Sequence, residues 1–71
     1  MGSIMQKWEY CLLWHLGGYI YRNGKKVSLD IKITLDPREA LSVSLQKLGE
    51  GGWEVVSVED GYFVLKRPIG V

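Results

Sequence analysis

A chain of 71 residues is long enough for one domain and too short for two. Its single cysteine excludes an internal disulfide, and one cysteine with one histidine are too few soft ligands for a structural zinc site, so we predict no metal and no cofactor. A formal net charge of +1 gives no general steering toward phosphate, which argues against a typical nucleic-acid binder.

The sequence predicts a cytoplasmic protein that does not enter membranes. The longest uncharged apolar run, residues 11–14, is far too short to span a bilayer, and no signal peptide is recognisable. A free cysteine fits a reducing compartment. The start, Met1-Gly2-Ser3-Ile4-Met5, has the composition of a cloning remnant before a native methionine. We therefore expect residues 1–6 to be disordered or such a remnant, and residues 7–71 to form one α+β domain.

Residues 7–16 are predicted to form the first strand, because apolar side chains alternate along them with a period of two. One face of this strand carries Trp8, Tyr10, Leu12, Trp14 and Leu16. The other face carries Cys11 and Leu13 together with Glu9 and His15. A strand that is apolar on both faces is central in its sheet or has a cover on its second face.

The pair Asn23-Gly24 predicts the first hairpin, since both positions of such a turn need positive φ. The turn sets three cross-strand pairs: Arg22 with Lys25, Tyr21 with Lys26, and Ile20 with Val27. The returning strand is predicted to run to residue 35. Its apolar row is Val27, Leu29, Ile31, Ile33 and Leu35, and its water-facing polar row is Ser28, Asp30, Lys32 and Thr34.

A helix is predicted from residue 37 to about residue 48. Asp36 suits the N-cap, Pro37 the first helical position and Glu39 the capping-box position. The expected buried stripe is Ala40, Leu41, Ser44, Leu45 and Leu48, with Val43 outside it. We expect Gly49 or Gly51 to end the helix in a left-handed conformation.

Two further strands, residues 53–59 and 62–68, are predicted on either side of an Asp60-Gly61 turn. An ideal two-residue hairpin sets three pairs: Val58 with Phe63, Val56 with Leu65, and Glu54 with Arg67. The helix would then sit on Val56, Val58, Phe63 and Leu65. The opposite face would present Trp53, Val55 and Val64, with Ser57 and Lys66.

These elements predict an α+β fold, an antiparallel sheet in the order β-β-β-α-β-β with one helix packed on one face. One short helix covers one face of such a sheet, so apolar side chains remain on the other. We therefore predict a non-enzymatic interaction module that forms a homo-oligomer, with a dimer favoured. The predicted oligomer interface comprises Trp8, Tyr10, Trp14 and Trp53.

Three segments carry a family resemblance: Trp8-Glu9-Tyr10, then Leu45-x-x-Leu48-Gly49-x-x-Gly52-Trp53-Glu54, then Phe63-Val64-Leu65-Lys66-Arg67-Pro68. Together they resemble the bacterial domain-of-unknown-function family 4177. The resemblance covers residues 7–16 and 41–68, and the Leu-Gly-x-x-Gly-Trp-Glu motif is its most specific part. It implies a small sheet-plus-helix domain and carries no activity or functional residue with it.

An alternative function is binding of single-stranded nucleic acid by the first hairpin, residues 19–32. Aromatic rings beside cations on a sheet are how many such proteins stack bases. The candidate residues are Tyr19, Tyr21, Arg22, Lys25 and Lys26. The low net charge makes this the less favoured reading.

A third alternative is a small-ligand module whose pocket is lined by the aromatic residues at a subunit interface. Catalysis is not predicted. Cys11 and His15 are the one thiol and the one imidazole, and four residues along a strand separate them by roughly 13 Å, at about 3.3 Å per residue.

Overall fold

The computed structural model describes residues 5–32 and 36–70, and the predicted order β-β-β-α-β-β is confirmed. The five strands form one antiparallel sheet in the order β3-β2-β1-β5-β4, with a helix on one face, which confirms the α+β prediction. The elements are β1 Trp8–Trp14, β2 Tyr19–Arg22, β3 Lys25–Ser28, α1 Pro37–Glu50, β4 Glu54–Glu59 and β5 Tyr62–Pro68. The expected disordered start falls mainly on residues 1–4, outside the described residues.

β1 is shorter than predicted. It ends at Trp14 rather than Leu16, because the N–H of Gly17 donates to the Trp14 carbonyl at 2.8 Å and closes a turn. Gly17 and Gly18 follow with φ of 76° and 94°, a region that favours glycine. The turn takes His15 and Leu16 out of the sheet.

The Asn23-Gly24 hairpin has all three predicted pairs, but its second strand ends early. β3 stops at Ser28 because β2 begins at Tyr19, so that no partner strand continues beyond this pair. Asp30 then adopts a φ of 62°, and its N–H donates to the Ser28 hydroxyl. The predicted strand over residues 29–32 is therefore wrong, and its last part, Ile33, Thr34 and Leu35, lies outside the described residues.

α1 begins as predicted and ends two residues later than expected. The Asp36 carboxylate accepts from the N–H groups of Arg38 and Glu39 at 2.9 and 3.0 Å. The bond from the Glu39 N–H is the main cause of a lowered pKa at Asp36. Glu50 is the last helical residue, and the left-handed residue is Gly52, with a φ of 89°, rather than Gly49 or Gly51.

A β-bulge in β4 changes the predicted register of the last hairpin. The pair Val58–Phe63 is present, but the ladder then slips by one residue between Val55 and Ser57. Consequently Val55, not Val56, lies opposite Leu65, and Glu54 lies opposite Lys66 rather than Arg67. Val56 and Val58 stay largely exposed instead of seating the helix.

The same slip moves Trp53 into the core. Trp53 precedes Val55 by two residues, so both turn toward the helix-covered face, against the prediction for these two residues. The buried cluster comprises Cys11, Leu13, Ile20, Leu48, Trp53 and Leu65. Ala40, Ser44 and Leu48 are the buried residues of α1, and Leu41 and Leu45 pack around them, as the predicted stripe required. Val43 lies outside this stripe and is exposed, as predicted.

Candidate functional site

The sheet face opposite α1 is the candidate site, and we call it the open face. Cross-strand pairing assigns its members, because directly paired residues point to the same side. Within residues 5–32 and 36–70 no second element covers it. It comprises Trp8, Tyr10, Leu12, Trp14, Tyr19, Tyr21, Lys26, Ser28, Glu54, Ser57, Glu59, Tyr62, Val64, Lys66 and Pro68.

Four rings of the open face form one connected aromatic cluster: Trp14, Tyr19, Tyr21 and Tyr62. The Trp14 ring is stacked on Tyr19 with centroids 5.9 Å apart, and it lies 5.2 Å from Tyr62. Tyr21 closes the cluster at 5.7 Å from Tyr19 and 6.1 Å from Tyr62. These separations are typical of favourable aromatic pairs. Desolvation raises the pKa of the Tyr62 phenol above its usual range.

Further exposed apolar side chains extend from this aromatic cluster toward the start of β1. Tyr10 is 56% exposed, and Trp8 and Leu12 are each 38% exposed. Two of the predicted interface residues, Trp8 and Tyr10, thus lie on the open face with Trp14. The fourth, Trp53, does not join them.

Trp53 lies on the helix side, where it is 8% exposed. The guanidinium of Arg67 lies 4.4 Å from its ring, and that of Arg22 lies 5.7 Å from it. Both arginines bond to the Glu9 carboxylate, at 2.9 and 2.7 Å respectively. Trp53 therefore belongs to a structural network at the end of the helix, and not to an accessible surface.

The open face carries both signs of charge in equal number. The ammonium of Lys26 lies 4.2 Å from the Tyr19 ring centroid, and that of Lys66 lies 4.0 Å from the Trp8 centroid. Glu54 and Glu59 lie on β4, at the opposite edge of the sheet from Lys26. The formal charge of the open face is therefore zero.

The candidate nucleic-acid residues are divided between the two faces. Tyr19, Tyr21 and Lys26 lie on the open face. Arg22 and Lys25 are paired on the other side, where Arg22 is bound to Glu9. The structure thus brings together three of the five residues proposed for base stacking.

A shallow depression of about 360 Å³ lies between β1 and the tip of the first hairpin. It arises because β1 extends past the hairpin, the last β1–β2 pair being Leu12–Tyr21. Of the predicted aromatic pocket residues, it includes Tyr10 only. Its lining is Tyr10, Cys11, Leu12, Tyr21, Asn23 and Gly24.

The thiol and imidazole of the chain are not arranged for nucleophilic catalysis. Cys11 is 2% exposed beneath the helix, and burial raises the pKa of its thiol to about 11, so the reactive thiolate is scarce at neutral pH. His15 lies in an exposed turn with Nδ1 3.1 Å from the Gly61 carbonyl oxygen. In the described part of the chain, no three or more His, Cys, Asp or Glu side chains form a group suited to a metal.

Sequence reasoning missed two members of this arrangement. Tyr62 joins the aromatic cluster because it lies opposite Trp14. The sequence could have indicated this, since Tyr62 is two residues from Val64, which was predicted on the face away from the helix, and residues two apart on a strand share a face. The ion pair between Glu9 and Arg67 arises because β1 pairs with β5 and places these two residues opposite each other. These strands are far apart in sequence, so the turn motifs of the two hairpins do not define how they align.

The fold and the open face define a class: a small α+β domain with one helix-covered sheet face and one uncovered aromatic face. No protein-family model, no curated protein and no solved structure matches the chain. The resemblance to family 4177 therefore stays a prediction. Among the described residues, no helix is both long and apolar enough to cross a membrane.

Proposed function

We propose that this chain is a non-enzymatic interaction module that binds a second copy of itself through the open face. The observation that carries the proposal is the concentration of aromatic residues there. Of the eight aromatic side chains in the sequence, all four tyrosines and two of three tryptophans lie on this uncovered face. Tyrosine and tryptophan are the residues most enriched as anchors at protein interfaces.

The size of the open face also supports a second copy as the partner. The strands contain 7, 4, 4, 6 and 7 residues. At about 4.8 Å between strands and about 3.3 Å per residue, they present a projected face of roughly 440 Å². This projection is roughly half of the ~800 Å² of accessible area that each partner contributes to a standard interface, and protruding side chains add to it, so the open face has room for a small dimer interface.

Stability considerations favour the same partner. A chain of 71 residues buries only about 60% of the surface of its unfolded state, and such small domains often gain stability by association. Stacking two open faces gives the arrangement of a β-sandwich, in which the inner faces of two sheets pack about 10 Å apart. The aromatic cluster would then be sheltered from water in both copies.

The neutral charge of the open face distinguishes this proposal from nucleic-acid binding. A surface that tracks a phosphate backbone carries an excess of lysine and arginine. Here Lys26 and Lys66 are matched by Glu54 and Glu59. A second copy of the same face is complementary to a neutral, aromatic surface, and a polyanion is not.

The proposal includes a cytoplasmic location and a role without chemistry. The single cysteine is buried and is not part of a disulfide, which suits a reducing compartment. The raised pKa of Cys11 and the exposed turn position of His15 leave neither residue in the partnership that an activated nucleophile needs.

Light scattering coupled to size exclusion tests the proposal with two matched variants. Tyr10→Lys places a charge on the open face at a residue that is 56% exposed, so folding is retained while association is lost. Val58→Lys, on the helix side at 64% exposed, is the control and stays associated. Equal loss in both variants, or a monomer in the unmodified chain, contradicts the proposal. Saturable binding of a short single strand at low salt by the monomer would favour the nucleic-acid alternative instead.

A further inference from the structure

We infer that the two copies are related by a twofold axis parallel to β1, which places Lys26 of each copy against Glu59 of the other. This inference rests on the proposed function, since it specifies how the two open faces meet. It follows from where the open face carries its charges, across the sheet and along the strands.

Across the sheet, the charges lie on opposite edges. Lys26 lies on β3, which is one edge strand, and Glu59 lies on β4, which is the other. Each strand is two positions from β1, the central strand. The basic edge and the acidic edge are therefore equidistant from an axis that runs along β1.

Along the strands, Lys26 lies one row away from Glu59, because Lys26 pairs with Tyr21 whereas the row of Glu59 runs through Tyr19 to Ser28, but the Lys26 side chain reaches toward the Glu59 row. The Lys26 ammonium lies 4.2 Å from the Tyr19 ring, and Tyr19 stacks on Trp14. Trp14 pairs with Tyr62, and Tyr62 pairs with Glu59. The row that has the Glu59 carboxylate at one end thus has the Lys26 ammonium beside its other end, although the Lys26 backbone belongs to the next row.

Aligned packing of two sheets leaves two orientations for a twofold axis in the plane between them, along the strands or across them. A twofold axis along β1 exchanges the two edges of the sheet and leaves each residue at the same position along the strand direction. As a result, β3 of one copy lies over β4 of the other. Lys26 then meets Glu59 twice, once on each side. An axis across the strands instead lays β3 on β3 and β4 on β4, which stacks the edge that carries Lys26 on itself and the edge that carries Glu54 and Glu59 on itself.

The local contacts leave Glu59 able to accept a partner. The Ser57 hydroxyl donates to Oε1 of Glu59 at 3.0 Å, which orients the carboxylate on the open face. Its other oxygen, Oε2, is the acceptor we assign to Lys26 of the second copy. Charge pairs at an interface set specificity and orientation, and like charges placed in contact oppose the wrong arrangement.

Charge reversal tests the inference through the dimer dissociation constant, measured by sedimentation velocity. Lys26→Glu and Glu59→Lys each place like charges in contact twice, and each raises the dissociation constant by about tenfold or more. The double variant Lys26→Glu/Glu59→Lys restores the opposite-charge pairs and returns the constant to within about threefold of the unmodified chain. Lys25→Glu, on the same strand but the other face, is the matched control and leaves the constant unchanged.

The outcomes separate the inference from the proposed function. If the unmodified chain dimerises and the single reversals have no effect, the axis lies elsewhere and the inference alone is overturned. If the single reversals weaken the dimer and the double variant does not recover it, the Lys26–Glu59 contact is also overturned. If the unmodified chain does not associate at all, the proposed function fails and the inference fails with it.

Discussion

The backbone N–H of Gly18 donates a 2.9 Å hydrogen bond to the hydroxyl of Ser44, which in turn donates to the Ala40 carbonyl at 2.7 Å. Ser44 is fully buried, so this hydroxyl connects the β1–β2 turn to the inner side of α1. The bond holds the helix against one face of the sheet and leaves the other face uncovered.

Replacing Ser44 by alanine is expected to lower the free energy of unfolding by about 1–3 kcal/mol, because the Gly18 N–H loses its acceptor in a part-buried position. Urea denaturation followed by circular dichroism measures the change. Ser42→Ala, at an exposed position of the same helix, is the control and should shift stability by less than about 0.5 kcal/mol. Equal effects at the two serines would show that the hydroxyl contact contributes nothing.

Gly17→Ala should destabilise the fold far more than Gly24→Ala, although both glycines have a φ of 76°. A Cβ on Gly17 lies 2.7 Å from the Ala40 carbonyl oxygen, whereas a Cβ on Gly24 meets nothing within 4 Å. The left-handed conformation costs each variant about 1–2 kcal/mol. The clash with the α1 backbone adds about 1–3 kcal/mol at Gly17 only. Thermal unfolding of the two variants separates the backbone strain, which both share, from the steric clash with α1, which only Gly17→Ala has. Similar melting points would contradict the close approach of Gly17 to the Ala40 carbonyl.

The β-bulge is tested by a double-mutant cycle on Arg67. Glu9→Gln and Arg67→Gln are expected to couple by about 1 kcal/mol in stability, since the two side chains are joined at 2.9 Å and partly shielded from water. Glu54→Gln with Arg67→Gln should show coupling below about 0.3 kcal/mol, because the bulge places Glu54 opposite Lys66. Stronger coupling in the second cycle would mean that the hairpin keeps its ideal register.

Stability is expected to fall with rising pH between about pH 9 and 11 because of Cys11. Burial raises the pKa of its thiol from 9.0 to about 11 in the folded chain. In this window the unfolded chain releases a proton that the folded chain retains, so unfolding is favoured as pH rises, by a total on the order of 3 kcal/mol. Denaturation midpoints of the unmodified chain and Cys11→Ala, compared across the window, check this. Parallel pH profiles would show that the thiol is not shifted.

The fold was largely predictable, because its signals are local. Asn23-Gly24 and Asp60-Gly61 each adopt positive φ at both turn positions, as their residue types indicate. Asp36 caps α1 through its own side chain, and the apolar spacing of the helix matches its buried side. Such features depend on neighbours in sequence and are therefore visible in it.

The candidate site was only partly predictable, because its errors come from non-local pairing. Val55 and Val56 are both apolar, so alternation does not reveal which of them the bulge places opposite Leu65. That single choice also decides the side on which Trp53 lies, and it removed Trp53 from the predicted interface. The early end of β3 follows from the short length of β2. The alternation of apolar residues after Val27 contains no information about the length of the partner strand.

The central claim, that the open face takes up a second copy of this chain, is tested most directly by sedimentation equilibrium of the unmodified protein over a wide range of concentration. We predict a concentration-dependent mass that rises to twice the 8.1 kDa of the single chain. A mass that stays at the single-chain value even at the highest concentration would contradict the claim.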